Sequence, residues 1–191
     1  MSNWIEIVNR SFTMEEFDTY CHTLQWTSWR PIFIVLHNTE EPNLKQCPNG
    51  LTEKNIQVEV KYYRDEKKWH AGPHLFIDDR QIWAFTPLTV PGVHSPSWNR
   101  LAWGVETLGN YEVEAFTSGR GAKVRDNAIA ALATLHAVLG IDAHTMRFHK
   151  EDPNTTHKKC PGKNVRKLEM IQAVDDLIRS RHGGEHSPKR Q

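Results

Sequence analysis

The sequence predicts an α/β fold, a single domain with a central mixed β-sheet flanked by helices. Three observations lead there. Short apolar, β-branched runs alternate with stretches of helical periodicity. Two apolar runs between His74 and Phe85 are close enough to pair as an antiparallel hairpin. No internal repeat or long linker divides the 191 residues, a length suited to one domain. We set that domain at residues 1–180, with 181–191 as a flexible tail.

The elements follow in order. Thr13 and Glu16 form a capping box for a helix over 14–24, with Phe17, Tyr20 and Leu24 on one apolar face. Pro31–His37, PIFIVLH, is a buried strand that ends on His37. The stretch 38–50 is rich in Asn, Pro and Gly and reads as a loop. Thr52 caps a second helix over 53–63, and Arg64–Lys68 is a solvated turn. HLFID and QIWAF form the hairpin, turning at Asp78-Asp79-Arg80. Residues 86–100 carry three prolines and a glycine and form a loop. LAWGVETLG is a further strand, with Gly104 marking a close backbone approach or a bulge. Val124–Leu139 keeps a 3.6-residue period that Gly140 stops. The polar stretch 142–162 precedes a last helix over 165–178.

Composition excludes several classes. Hydrophobic residues make up 38% and charged residues 25%, so neither disorder nor a disulfide scaffold is indicated. A net charge of +1 gives no reason to propose nucleic acid as the main partner. The three cysteines are an odd set, which favours a reducing compartment. The start, MSNWIEIVNR, has no signal-peptide pattern, and no apolar stretch is long enough for stable membrane insertion. Synthesis in the cytoplasm is the expectation, and a monomer the expected state.

The histidines and Cys160 carry the chemistry. His37 leaves a buried strand at its C-terminal end, where a sheet can aim an imidazole into a cleft. In RFHKEDPNTTHKKCPG, His149 and Cys160 stand eleven residues apart around a proline-containing loop. Imidazole nitrogen and thiolate sulfur both suit Zn2+, and three protein ligands leave a fourth position for water, as catalytic zinc requires. His157 and His144 compete as ligands, and Cys47 offers another thiol with no histidine nearby in sequence. Against this stands a blander alternative, a buried free cysteine in a histidine-rich surface loop.

Four pieces of the chain, VLHNT, PHLFID, the run from GVHSPSWN to WGVETLGNY, and HKEDPNTTHKKCPG, together resemble the zinc-dependent N-acetylmuramoyl-L-alanine amidases of the phage lysozyme and peptidoglycan-recognition type. The resemblance spans about residues 33–165 and implies that family's fold. It implies zinc ligands at His37, His149 and Cys160 and a catalytic lysine at Lys158. Gly104-Val105-Glu106 matches the motif in which the recycling branch of the family carries a catalytic glutamate, which assigns that role to Glu106. Pro73 stands before His74 where the phage branch commonly has tyrosine, a departure that further favours Glu106. His94 and Asn99 match groove positions. His74, Trp69, Trp98 and Trp103 are added as groove candidates, although seven tryptophans are high for this length and each is more readily a core residue than a functional one.

The implied activity is hydrolysis of the amide between the muramoyl lactyl group and L-alanine, with peptidoglycan or muropeptides as partner. A phage or prophage endolysin, released through a separate membrane pore (a holin), is the setting expected. A cytoplasmic recycling amidase and a binding-only module are the alternatives. Cys160 favours hydrolysis over binding alone, because binding-only relatives typically replace that ligand.

Overall fold

The computed structural model describes residues 3–183. A six-stranded sheet runs in the order β1 (Arg10–Phe12), β4 (Ile82–Ala84), β3 (Leu75–Ile77), β5 (Ala102–Thr107), β2 (Phe33–Asn38), β6 (Arg147–Phe148). β4 pairs antiparallel with β1 and β3, while β3, β5, β2 and β6 are mutually parallel. The mixed sheet is therefore as expected. The short edge strands β1 and β6 carry too few apolar residues to stand out in the sequence.

α1 (Met14–Thr23) begins on the expected Thr13–Glu16 capping box. α2 (Glu53–Lys61) starts at Thr52 and runs into a π-helical turn over Tyr62–Glu66, where a solvated turn was expected. α3 (Gly119–Leu139) begins five residues before the apolar period becomes visible and stops at Gly140, whose φ of +64° favours glycine. α4 (Lys167–Gly183) outlasts its expected end, so the flexible tail placed from residue 181 is helical as far as Gly183. The remaining tail residues, 184–191, lie outside the described part.

Strand alternation divides the work between the two faces of the sheet. Leu36, Leu75, Ile77, Trp103 and Val105 are fully buried in the core, and α3 packs on β3 and β5 with α1 and α4 against it. A hydrogen bond from Thr134 on α3 to Asp18 on α1, 2.8 Å, ties two of these helices. The register sets His37, Glu106, Phe76 and Trp83 in one row across the other face. In the neighbouring row, Gly104 lies beside His74, whose carbonyl accepts the Phe85 amide. α2 and its π turn cover the β3–β4 side of that face, with Tyr63 packed edge-on to Phe85. Among the described residues, no helix is long and apolar enough to cross a membrane.

Candidate metal centre

Two neighbouring parallel strands aim the first part of the site. β2 and β5 place His37 opposite Glu106, with His37 Nδ1 3.7 Å from Glu106 Oε1. The other nitrogen of His37 is held from behind: Nε2 lies 3.1 Å from His94 Nδ1, and His94 Nε2 lies 3.1 Å from the Ala102 carbonyl oxygen. A carbonyl can only accept, so His94 carries its proton on Nε2 and its Nδ1 accepts from His37 Nε2–H. This assignment leaves His37 Nδ1 bare and turned toward Glu106. Gly104 makes room for the arrangement, since a Cβ there would lie 2.3 Å from His94 Cγ.

A loop supplies the rest. His149 follows β6, and its Nε2 lies 2.8 Å from Thr155 Oγ1, which also accepts the His157 amide N–H at 3.0 Å. The Cys160 sulfur accepts the Asn38 amide N–H at 3.4 Å, and the Lys150 amide donates to the Cys160 carbonyl at 3.0 Å. Asp152 fastens this loop to the one before β5. Its buried carboxylate accepts from Ser95 Oγ and Ser97 Oγ, each at 2.5 Å, and from the amides of Ser97 and Asn154 at 3.0 and 2.8 Å. Lys158 is exposed, with Nζ 3.4 Å from the Asp152 carbonyl oxygen.

Three ligand atoms thus converge. Those of His37, His149 and Cys160 lie within 4.8 Å of one another, spacing on which one ion could draw all three together. Burial, followed by the neighbouring histidines, holds His37 well below the usual imidazole range. Burial and then His157 bring His149 to about 4. Both rings are neutral at pH 7, as a metal ligand must be. Burial, then the Glu106 carboxyl, pushes the Cys160 thiol up, and burial, then Glu59, pushes Glu106 up. Two would-be anions beside two neutral imidazoles form a donor set whose charge a divalent cation would balance. The donor set therefore fits zinc.

The other expected site residues are dispersed. His94 is buried behind His37 and supports it from outside any groove. His74 is fully buried: Nδ1 accepts the Gly104 amide at 3.0 Å, Nε2 donates to the Val90 carbonyl at 3.0 Å, and Trp29 stacks on the ring. Asn99 turns inward, its Oδ1 accepting the amides of His94 and Ser95 at 2.7 and 2.8 Å. Trp103 is 0% exposed and donates to the Leu88 carbonyl. It precedes Gly104 and so faces the helices, which corrects its reading as a groove residue. Trp69 and Trp98 are partly exposed, Trp69 stacked on Tyr63 and Trp98 edge-on to Phe33. Of the competing ligands, His157 stacks on His149 at 5.2 Å without joining the trio, and His144 pairs with Asp142. Cys47 is buried near Arg120, which donates to its carbonyl. The sequence reading missed Asp152, although an Asp just before Pro-Asn, facing a Ser-Pro-Ser segment, carries the composition of a carboxylate that gathers loop donors.

Residues 28–163 match the family profile described as N-acetylmuramoyl-L-alanine amidase. Peptidoglycan-recognition protein SC2 of Drosophila simulans is 25% identical over 136 residues, covering 70% of this chain and 69% of that protein. Among solved structures, the endolysin N-acetylmuramoyl-L-alanine amidase LysCS from Clostridium intestinale superposes with a TM-score of 0.60 at 24% identity, over 80% of this chain and 92% of that one. Drosophila PGRP-LB superposes with a TM-score of 0.58 at 19% identity, over 74% and 81% of the two chains. At these identities the two structures speak for the fold.

Proposed function

The chain belongs to the N-acetylmuramoyl-L-alanine amidase family, and from that premise we propose that it hydrolyses the amide joining the lactyl group of N-acetylmuramic acid to L-alanine in peptidoglycan, with Zn2+ held by His37, His149 and Cys160. The observation that carries the reading is the convergence of those three ligand atoms within 4.8 Å, from a strand end and a distant loop. Bound there, zinc would supply Lewis acidity, polarising a carbonyl and acidifying water.

The chain's own groups perform the proton work. Glu106 faces the ligand cluster; in the carboxylate form that a bound cation would favour it can take the proton of the attacking water, and the proton affinity that burial raises suits it to hold that proton until it returns it to the leaving amine. Water adds to the lactyl carbonyl, the C–N bond breaks, and the products are a lactyl carboxylate and the free amine of L-alanine. Lys158, whose Nζ rests 3.4 Å from the Asp152 carbonyl oxygen, would turn its ammonium to the oxygen on which negative charge develops. It also offsets the negative charge that Cys160 brings as a thiolate. His94 keeps His37 in the tautomer that leaves Nδ1 bare. Partly exposed Trp69 and Trp98 would border a groove for the glycopeptide.

We read the role as lytic, on intact wall, after release from the cytoplasm through a separate membrane pore, with one monomeric catalytic domain. Cys160 as third ligand supports this, because it is the choice of the phage-type members the sequence resembles. The test is digestion of intact peptidoglycan, and separately of soluble muropeptides, by zinc-loaded protein with mass spectrometry of the products. New L-alanine amino termini, absent with Cys160→Ala, are the expected result. Preference for soluble muropeptides would move the role to wall recycling. Zinc binding without cleavage of either would leave a muropeptide-binding module.

A further inference from the structure

His149 is the candidate histidine ligand with the least backbone behind it. It follows the two-residue strand β6 and opens a single 3-10 turn, His149–Glu151, whereas His37 lies in a six-residue strand paired on both sides. Its ring is held instead from further along its own loop. Thr155, 4% exposed, brings its hydroxyl oxygen to 2.8 Å from His149 Nε2. The imidazole of His157 lies over the same ring, with centroids 5.2 Å apart at 24°. Thr155 ties the two together, because its Oγ1 also accepts the His157 amide N–H at 3.0 Å. The Thr155 amide in turn donates to the carbonyl of Asp152 at 3.2 Å, and the carboxylate of that residue anchors the loop.

The hydroxyl does more than close that turn. A threonine turn needs only the bond from the amide two residues on, and the ring contact is additional. A threonine hydroxyl has one proton and two lone pairs, and the His157 amide takes one of the pairs. Two arrangements remain for the contact to Nε2. If the hydroxyl donates, the neutral ring carries its own proton on Nδ1, and neither nitrogen is open to a metal. If the hydroxyl accepts on its second lone pair, Nε2 carries the proton and Nδ1 is bare. Only the second lets His149 serve with His37 and Cys160, whose ligand atoms converge with its own within 4.8 Å. His37 has the same arrangement on a different element, with Nε2 held by His94 and Nδ1 bare.

We propose that Thr155 is a positioning residue of the metal centre: its hydroxyl oxygen accepts the His149 Nε2–H and so presents Nδ1 to the ion. This rests on the reading of His37, His149 and Cys160 as metal ligands. Loading the ion then asks for no rotation of the ring, only for its proton to sit on Nε2, where Thr155 receives it. An acceptor at that proton also makes the opposite nitrogen a more basic ligand. Through the Asp152 carbonyl, the same residue joins the ligand to the bonds that hold the two loops together. A valine in its place would fill much the same volume and offer no acceptor.

The experiment compares wild type with Thr155→Val and with Thr155→Ser, which keeps the hydroxyl. Zinc affinity is measured by chelator competition, and the protonated nitrogen of His149 by imidazole NMR of the zinc-loaded protein. The thiolate band of the cobalt-substituted protein reports whether Cys160 still reaches the metal. In wild type, His149 should carry its proton on Nε2. Zinc affinity should fall about 10- to 100-fold in Thr155→Val and largely return in Thr155→Ser, with the thiolate band at saturating cobalt unchanged in all three. A proton on His149 Nδ1 in the zinc-loaded wild type would overturn the assignment, as would wild-type affinity in Thr155→Val. Loss of the thiolate band in Thr155→Val would overturn it too, because Thr155 would then be holding the loop as a whole. So would a serine variant as weak as the valine one, since the methyl group would then matter and not the hydroxyl. Wild-type protein that binds no zinc would overturn the metal reading, and this proposal with it, whereas zinc binding without release of L-alanine amine would overturn the amidase reading alone.

Discussion

The two halves of the candidate centre are held by different physics. His37 and Glu106 sit on paired central strands, whose ladder from Phe33 opposite Ala102 to Asn38 opposite Thr107 fixes them whether or not an ion is present. His149, Lys158 and Cys160 sit on a loop held by side-chain bonds to Asp152 and Thr155, by a few amides, and by the Lys167–Glu151 pair at 2.7 Å. The sheet half is pre-formed, whereas the loop half is assembled, and a metal would contribute most of its binding energy to ordering the second.

Removal of the metal breaks this comparison most directly. A chelator should abolish cleavage and raise amide hydrogen exchange across 149–162, while 33–38 and 102–107 stay protected. Equal loosening of both would mean that the ion organises the sheet half too. Within the sheet half, Glu106→Gln should lower kcat by about 10³-fold and leave zinc affinity unchanged, as isothermal titration with zinc would show. A matching fall in affinity would make Glu106 a ligand rather than the proton acceptor.

The same division explains what the sequence disclosed. β2 and β5 are legible because each is a continuous apolar run ending near a polar residue, and strand alternation places His37 and Glu106 on one face. That alternation also separates Trp103 from Glu106, a consequence available from the sequence once Ala102–Thr107 is taken as a strand. The loop half shows no periodicity, and Cys160 was identified by metal chemistry and by resemblance. His74, His94 and Asn99 were read from the sequence as groove residues, which gives no sign of which way they point. Their hydrogen bonds go to backbone groups contributed by other segments, Gly104, Ala102 and Val90 among them, and those bonds exist only after folding.

Two substitutions sharpen the contrast in stability. Asp152→Ala removes a buried acceptor of four hydrogen bonds. Burial pushes that carboxyl up, but the bonds from Ser95 and Ser97 more than offset it and hold it at about 2, so it is charged at any working pH. The substitution should cost about 3 kcal/mol in chemical denaturation and weaken zinc binding, because it frees both loops. In the sheet half, Gly104→Ala should cost about 2 kcal/mol, because its Cβ would displace the His94 ring. Zinc affinity should fall with it as His37 loses its partner. A stability loss with full affinity would show that the His94 bond does not govern the ligand.

The last effect, confined to acid pH, tests the sheet half by itself, through a histidine that contacts no ligand. Burial lowers His74 to about 4, and the Val90 carbonyl only partly counters this. An unfolded histidine titrates near 6.5. The native state therefore prefers the neutral ring, and the stability this brings is complete above about pH 6.5 and lost as pH falls toward 4. His149 and His94 share the sign, so the term must be isolated by difference. With metal-free protein, the stability of wild type relative to His74→Gln should fall by about 2 kcal/mol between pH 7 and pH 5 in urea unfolding. A difference that stays constant across that range would mean that His74 takes up a proton as readily in the native state as in the unfolded chain. The Gly104 amide and the Val90 carbonyl would then be holding the ring without excluding its charge.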